Sequence, residues 1–498
     1  MGLNLAFVCA KVELRLILMN TYNKVEKLYN ENINYFKLLE KEFSNNLNIP
    51  SHILMDTIKR VLVESIHPYG KKSFLLHYSY AIKDFFIYYI VMIYLFILAL
   101  FPKNKKNIYK FDIVFDCDVY YDFDSNYRLL YEKLKNYSIA IFSRIGIFKQ
   151  EDIFILNKKN TKKFDSEISY KILKSQFNNF GLYKELSKKS NINFINLSLR
   201  LMRYIALYET DSKNFSTNIF ISAGDIYYNS LRYYIYHTNG INNIVLLQSG
   251  MKGGINSSSS GDLYIYSDYY FGYGTYFIDN LYGNIQYKIA SGSIKLYQET
   301  YNKQFSETTD IVFIEQMAFI EIENEHSMKT YLDLVNILIK FANKYKNYNI
   351  VYRIRPLKLS VYYSDKEKMN IVNDLYNRMQ KSGIIIDDFS ETSYDAILQA
   401  KIIVFYTSAL GFEALGLNKK TLCCNVDKLS SLPCVDEIGV LVEKSYALFE
   451  KKLLYLLNDN NDNNIKRYYE KQKNRFQNLE GSPVDKIVSI IKEKVAIR

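Results

Sequence analysis

From Tyr109 onward the chain alternates short β-branched apolar runs with helical stretches, and near residue 310 the same alternation begins again. The first series is FDIVFD (111–116), a helix near 125–136, SIAIFS (138–143), DIFIL (152–156), a long helix around 193–209, NIFISAG (218–224), a helix near 226–238 and NIVLLQSG (243–250). The second is DIVFIEQ (310–316), a helix at about 327–345, NIVYRIRP (349–356), a helix at about 367–381, GIIIDD (383–388), a short helix, KIIVFYTS (401–408), a helix to Leu417 and KTLCCNVD (420–427). Strands separated by helices form parallel sheets with crossover helices, so each series predicts one Rossmann-like α/β layer. At 498 residues the chain is too long for one ordinary core, which suits two such halves. The expected division is 1–107 as a helical, membrane-proximal module, 108–300 as the first Rossmann-like domain, 301–440 as the second, and 441–498 as helices placed to cross back onto the first.

The segment Phe85–Phe101, FFIYYIVMIYLFILALF, holds seventeen uncharged residues between Lys83-Asp84 and Pro102-Lys103. That is about the shortest run that crosses a bilayer, and its Tyr and Phe favour the interface. Lysines flank both ends, so no orientation follows; a re-entrant or interface-lying segment and a buried core helix both remain open. Upstream, apolar residues at helical spacing between Asn20 and Lys59 predict helices.

Composition narrows the partners. Hydrophobic residues at 48% and charged ones at 23% describe a folded chain. A net charge of +12 suits an anionic partner: a nucleotide, a phospholipid surface or nucleic acid. Nucleic acid is disfavoured, because no Lys/Arg tract interleaved with aromatics occurs. The five cysteines lack CxxC spacing and two lie in an apolar run, which points to a reducing compartment, and the five histidines show no metal-ligand spacing. No GxxxxGK[ST] loop and no orderable Ser/His/Asp or Cys/His set is present, which sets aside NTPase and hydrolase chemistry.

In open parallel sheets ligands bind at the carboxyl ends of strands. Two such ends in the second series carry suitable groups. After IIVFY, the turn Thr407-Ser408-Ala409-Leu410-Gly411 opens a helix, with Thr407 or Ser408 as N-cap. Open backbone N–H groups, hydroxyls and the positive end of the helix dipole make either a seat for phosphate or simply a capped helix. Glu413, within the next two turns, is placed either to reach ribose hydroxyls or to face solvent. One strand earlier, Arg353-Ile354-Arg355-Pro356 places two guanidiniums on one side of a strand that Pro356 ends, a phosphate clamp or a solvent-facing pair.

Taken together, RIRP, IDDFSE (386–391) and AKIIVFYTSALGFEALGLNKKTL resemble the donor half of bacterial GT-B glycosyltransferases of surface-polysaccharide assembly. That group includes the sialyltransferase- and polysialyltransferase-like enzymes and the CDP-glycerol glycerophosphotransferases. By this resemblance Arg355-Pro356 matches the family's His-Pro, Thr407-Ser408 its hydroxyl pair, and Glu413 the acidic residue that follows. Arg stands where the family has His, so phosphate binding carries over and an acid role does not. In the first series IVLLQSGMKGG (244–254) resembles the family's strand-end Gln-His-Gly or Gln-Asn-Gly, with Gln248, Ser249 and Gly250 as cleft backbone. YFGYGTYFID (270–279) and IASGSIK (289–295) resemble a passage common in the group. The likeness covers roughly residues 215–430 and implies a GT-B pair of Rossmann-type domains with a cleft between them.

Such a transferase needs a base for the acceptor hydroxyl and cationic or dipolar groups for the departing phosphate. Asp225 at the end of NIFISAGD is the first candidate base, followed by Asp118 and Asp116; each can equally be a helix N-cap. Asp116-Cys117-Asp118 and Asp122-Phe123-Asp124 also spell DxD, but the two-halved layout calls for no metal. The expectation is a metal-independent, inverting glycosyltransferase without cofactor, working on a nucleotide-sugar donor and a lipid-linked or polysaccharide acceptor of lipopolysaccharide or capsule type. It would sit at the cytoplasmic face of the membrane, against its surface. A CDP-glycerol-type polyol-phosphate transferase would have the same donor half. A non-catalytic GT-B-like scaffold is the third reading, kept open by the missing histidines in RIRP and QSG.

Overall fold

The computed structural model describes residues 27–496 except for most of 67–107 and 118–126, the stretches 144–152, 157–165, 225–229, 249–264, 316–324, 355–365, 429–437 and 459–461, and single positions including Thr407. Twelve strands among these residues form two sheets, parallel throughout. The first contains β1 (Tyr109–Asp116), β2 (Ile139–Phe142), β3 (Phe154–Leu156), β4 (Phe215–Gly224), β5 (Asn243–Gln248), β6 (Ile265–Gly272) and β7 (Gly283–Ala290), ordered β3-β2-β1-β4-β5-β6-β7. The second contains β8 (Thr309–Ile314), β9 (Ile350–Arg353), β10 (Ile385–Asp387), β11 (Ala400–Phe405) and β12 (Lys420–Cys423), ordered β10-β9-β8-β11-β12. In each sheet the chain winds outward from its first strand, returns, and winds the other way. The order reverses between β1 and β4 and between β8 and β11, and such reversals open a crevice at the carboxyl ends of the strands.

Period-two alternation feeds both faces of the first sheet. Val114, Phe220 and Leu246 point to one side. There they join α1 (Ile33–Leu47), α2 (Ser51–Ile66), α4 (Ser166–Lys189), α5 (Phe194–Ser212) and α6 (Ser230–Thr238) through Phe36, Leu54, Leu173, Leu201 and Tyr236. Ile113, Phe115, Ile221 and Val245 point to the other, against α3 (Arg128–Leu134) and α15 (Pro483–Ala496). The helices predicted upstream of residue 60 are thus built into the core of the first half. Of the apolar segment 85–101 only Ile90, Ile93 and Ile97 are described; they are helical and exposed. No helix among the described residues is long and apolar enough to cross a membrane.

The second sheet shares one core with α9 (Glu325–Lys344), α10 (Lys366–Lys381), α11 (Ser393–Gln399), α12 (Ala409–Gly416), α13 (Tyr446–Asn458) and α14 (Asn463–Phe476). Tyr273, Phe277 of α7 (Thr275–Asp279) and Leu296 of α8 (Ile294–Thr300) join it from the first half. The described cysteines Cys117, Cys423 and Cys424 are buried thiols that form no disulfide among the described residues.

The link from α14 to α15 returns the chain to the first sheet. Its residues 475–478 lie against three glycines, where a Cβ on Gly274 would stand 2.4 Å from the Arg475 carbonyl oxygen and one on Gly292 2.4 Å from that of Asn478. Asn478 donates its N–H to the Tyr273 carbonyl at 2.7 Å and its side-chain amide to that of Ala290 at 2.8 Å. Absent side chains therefore let a strap pass against the ends of β6 and β7.

Candidate functional site at the junction of the two sheets

At the reversal of the first sheet β1 ends in Asp116, fully buried. Arg232 of α6 donates to its two carboxylate oxygens at 2.7 and 3.1 Å, and the Ser222 hydroxyl donates at 2.9 Å. Phe142, Phe220 and Tyr236 surround the guanidinium, each ring centre within 5.4 Å of its carbon. Asp116, expected as a candidate base, is engaged here as a buried counter-ion, with both carboxylate oxygens accepting these donors. Asp225 and Asp118 lie outside the described residues, as do Ser249, Gly250, Arg355 and Thr407.

Arg353, at the end of β9, is likewise buried. It pairs with Asp387 of β10 at 3.2 Å and donates to the Ser390 carbonyl at 3.2 Å. Asp387 in turn accepts from the Ser390 N–H at 2.9 Å and its hydroxyl at 2.7 Å. The first arginine of RIRP therefore fixes the turn after β10, a correction to its expected place in a phosphate clamp.

Around the reversal of the second sheet lies a set of engaged polar groups. Glu315 follows β8 and accepts from the hydroxyls of Tyr352 and Tyr376, both at 3.2 Å, and Tyr331 touches Tyr352 hydroxyl to hydroxyl at 2.6 Å. Burial first, and the Glu315 charge second, hold the Tyr352 and Tyr376 phenols far above their ordinary value, so both stay protonated donors. Tyr406, beyond β11, donates to Asp427 at 2.6 Å. Ser408 then opens α12 as its N-cap residue without a side-chain capping bond. Gly411 is forced by packing, since a Cβ there would lie 2.2 Å from the Phe405 ring, and its absence lets α12 close onto β11.

The two halves meet at α12, whose Gly416 lies against Gln477 of the strap that passes the ends of β6 and β7. The Gln248 side-chain oxygen Oε1 accepts the Tyr273 N–H at 2.9 Å, which ties the end of β5 to the loop after β6. Gln248, Tyr273, Ser291 and Lys295 line a pocket floored by Ala223 and Phe271. Its volume of about 30 Å³ admits one water-sized group. Glu413 of α12, half-buried, accepts from the Tyr394 hydroxyl at 2.9 Å. Tyr394 is held there by a capping box in which the Thr392 side chain and Asp395 satisfy each other's backbone N–H and start α11. Burial pushes the Glu413 carboxyl up to about 7, opposed by the Tyr394 hydrogen bond and then by the charge of Lys295 across the junction. Lys295 and Tyr394 were not among the residues singled out from sequence. Lys295 closes the IASGSIK passage, and its place directly after a strand end was the available signal.

Among the described residues no group of three or more His, Cys, Asp or Glu is arranged to hold a metal ion.

The fold defines a two-domain α/β protein built on two doubly wound parallel sheets. No protein-family model and no curated protein matches the chain. Solved structures that resemble it include the wall teichoic acid polymerase TagF, 11% identical over 83% of this chain and 97% of that one, with a TM-score of 0.41. The putative UDP-N-acetylglucosamine 2-epimerase from Listeria monocytogenes is 10% identical over 79% and 98%, with a TM-score of 0.44. The UDP-N-acetylglucosamine 2-epimerase from Rickettsia bellii is 13% identical over 78% and 98%, with a TM-score of 0.40. These are distant likenesses.

Proposed function

We propose that the protein is a GT-B-type glycosyltransferase that moves a sugar from a nucleotide-sugar donor to a lipid-linked or polysaccharide acceptor at the cytoplasmic face of a membrane. The supporting observation is the convergence of strand ends. α12 follows the order reversal of the second sheet, and Gln477 joins it to the turn after the last strand of the first, lying against Gly416 and accepting the Ser293 N–H at 3.0 Å. A ligand lying in that junction is within reach of both halves, as a reaction between a donor and an acceptor requires. The donor phosphate would lie at the start of α12, on Ser408 and the open N–H groups, with Thr407 and Arg355 as neighbours in sequence. In the transfer an acceptor oxygen bonds to the sugar carbon, the bond from that carbon to the phosphate oxygen breaks, and the nucleotide leaves. The acceptor proton passes to a base, for which Asp225 and Asp118 remain the candidates once Asp116 is set aside.

A thermal-shift screen of the full chain against CMP, CDP, UDP, GDP and ADP tests this reading. One of these is expected to raise Tm in the parent and to do so less in Ser408→Ala and Arg355→Ala, since a ligand of the folded state stabilises by RT ln(1 + [L]/Kd). A folded protein that responds to none of them defeats the donor site and favours a scaffold.

A further inference from the structure

We infer that the outward face of α4 docks on an anionic lipid surface, with Tyr170 and Phe177 entering the interface and Lys174, Lys184 and Lys188 meeting headgroup phosphates. This concerns where the protein sits and does not depend on the donor site proposed at α12. α4 is 24 residues long, and its inner side packs Leu173, Tyr183 and Leu186 into the core of the first half. At 3.6 residues per turn Tyr170, Lys174, Phe177, Gly181, Lys184 and Lys188 fall within roughly a quarter of the helix circumference. All six are exposed. Phe177 is 67% exposed and Tyr170 60%, and no other large apolar side chain described exceeds Phe177. A Cβ added to Gly181, midway along the stripe, would meet nothing within 4 Å, so the middle of the face is open.

Two properties of the stripe choose its occupant. Single exposed apolar residues are ordinary, but here a Phe and a Tyr stand two helical turns apart on one line. Between and beyond them the charge is positive. α4 holds five lysines against Glu167 and Glu185. Lys189 is paired with Glu185, whereas Lys174, Lys184 and Lys188 make no ion pair or hydrogen bond among the described residues. Rings at the level of the headgroups, with lysine stems laid beside them and ammonium groups reaching phosphate, are how a helix lies on an anionic membrane. Protein interfaces also gather aromatic residues but are depleted in lysine, so lysines between the rings favour lipid over a protein partner. The net charge of +12 adds a long-range attraction of the same sign.

The test is co-sedimentation of the full chain with vesicles of phosphatidylcholine, and of phosphatidylcholine mixed equally with phosphatidylglycerol, at low and high salt, with circular dichroism as the check on folding. The parent is expected to bind the mixed vesicles and to be released from them by salt. Lys174→Gln/Lys184→Gln/Lys188→Gln is expected to weaken that binding about tenfold or more, and Tyr170→Ser/Phe177→Ser to weaken it several-fold. Lys381→Gln/Lys451→Gln/Lys471→Gln, which removes three exposed lysines of the second half, lowers the net charge equally and is expected to bind as the parent does. Equal losses in the two triple variants overturn the inference as an effect of net charge alone. Unchanged binding in both α4 variants overturns it as well, and leaves attachment to the segment 85–101. So does a parent that binds both kinds of vesicle alike at any salt, since the lysines then meet no anion. A parent that binds neither defeats the inference and the membrane location together, while the donor site keeps its own thermal-shift test. Should one α4 variant misfold, the other decides.

Discussion

A Cβ placed on Gly416 would stand 2.1 Å from the Cβ of Gln477. Gly416 ends α12 in the second half, whereas Gln477 belongs to the strap and accepts the Ser293 N–H of the first half at 3.0 Å. One buried glutamine thus joins the helix that carries Glu413 to the turn that carries Lys295. Gly416→Val is expected to destabilise by about 3 kcal/mol, at the upper end of overpacking costs, since the obstacle begins at Cβ and leaves no rotamer to relieve it. Urea unfolding followed by circular dichroism measures this. A midpoint within error of the parent would mean that the strap yields without cost.

The Asp116–Arg232 pair makes a prediction by its burial. Arg232→Met leaves a buried carboxylate in the sheet without its guanidinium and is expected to cost about 3–5 kcal/mol. The double variant Asp116→Leu/Arg232→Met removes both charges and is expected to recover most of that loss. Chemical denaturation of the two singles and the double gives the coupling energy, and additive losses would refute the pair as the source.

Arg353 separates structure from ligand binding. Arg353→Met breaks its pair with Asp387 and is expected to lower stability by about 3–5 kcal/mol. Because Arg353 is turned into the fold, the increment in Tm caused by a bound nucleotide is expected to survive the change. Loss of that increment in a folded variant would return Arg353 to the binding site.

Glu413 gives a pH dependence whose sign follows from its raised pKa. Its ordinary value is 4.5 and burial takes it to about 7, so between these values the folded protein holds a proton that the unfolded chain has released. Stability is therefore lost as pH rises from about 4.5 to 7 and stays reduced above. Glu413→Gln is expected to flatten that part of the profile and, at pH 8, to exceed the parent by on the order of 2 kcal/mol, allowing for partial exposure. Tm measured at intervals from pH 5 to 8 decides it; parallel profiles for parent and variant would deny Glu413 a raised pKa.

Most of the fold could be read from the sequence because its strands are continuous apolar runs between helices. β1, β4, β5, β8 and β11 were all marked that way. β6 and β7 carry IYSDYYFG and GNIQYKIA, whose polar residues reflect a sheet edge where β7 is largely exposed, so they appeared as motifs and not as strands. α4 escaped as well, since its polar, lysine-bearing sequence gives only a weak apolar stripe. The site was less legible for a related reason. Arg353 and Asp116 have the charge and strand-end position of ligand-binding groups, and only the partners brought by distant strands and helices, Asp387 and Arg232, show them to be internal. Glu413 was chosen for its place in a helix start, yet Lys295, whose charge reaches it, is separated from it in sequence by the four strands β8 to β11.

The return of α15 to the first sheet bears on how the protein is made. Val484, Ile487 and Ile491 cover Ile113, Phe115 and Val245, and α15 is joined to α3 by an ion pair between Lys133 and Asp485, 352 residues apart. At about 5–20 residues per second, ribosomes need roughly 20–70 s to span that interval, during which one face of the first sheet has α3 but lacks α15. A nascent chain is then a client for chaperones that bind apolar surface, and a stop codon ahead of Pro483 leaves the first half open for good, however well the second has folded.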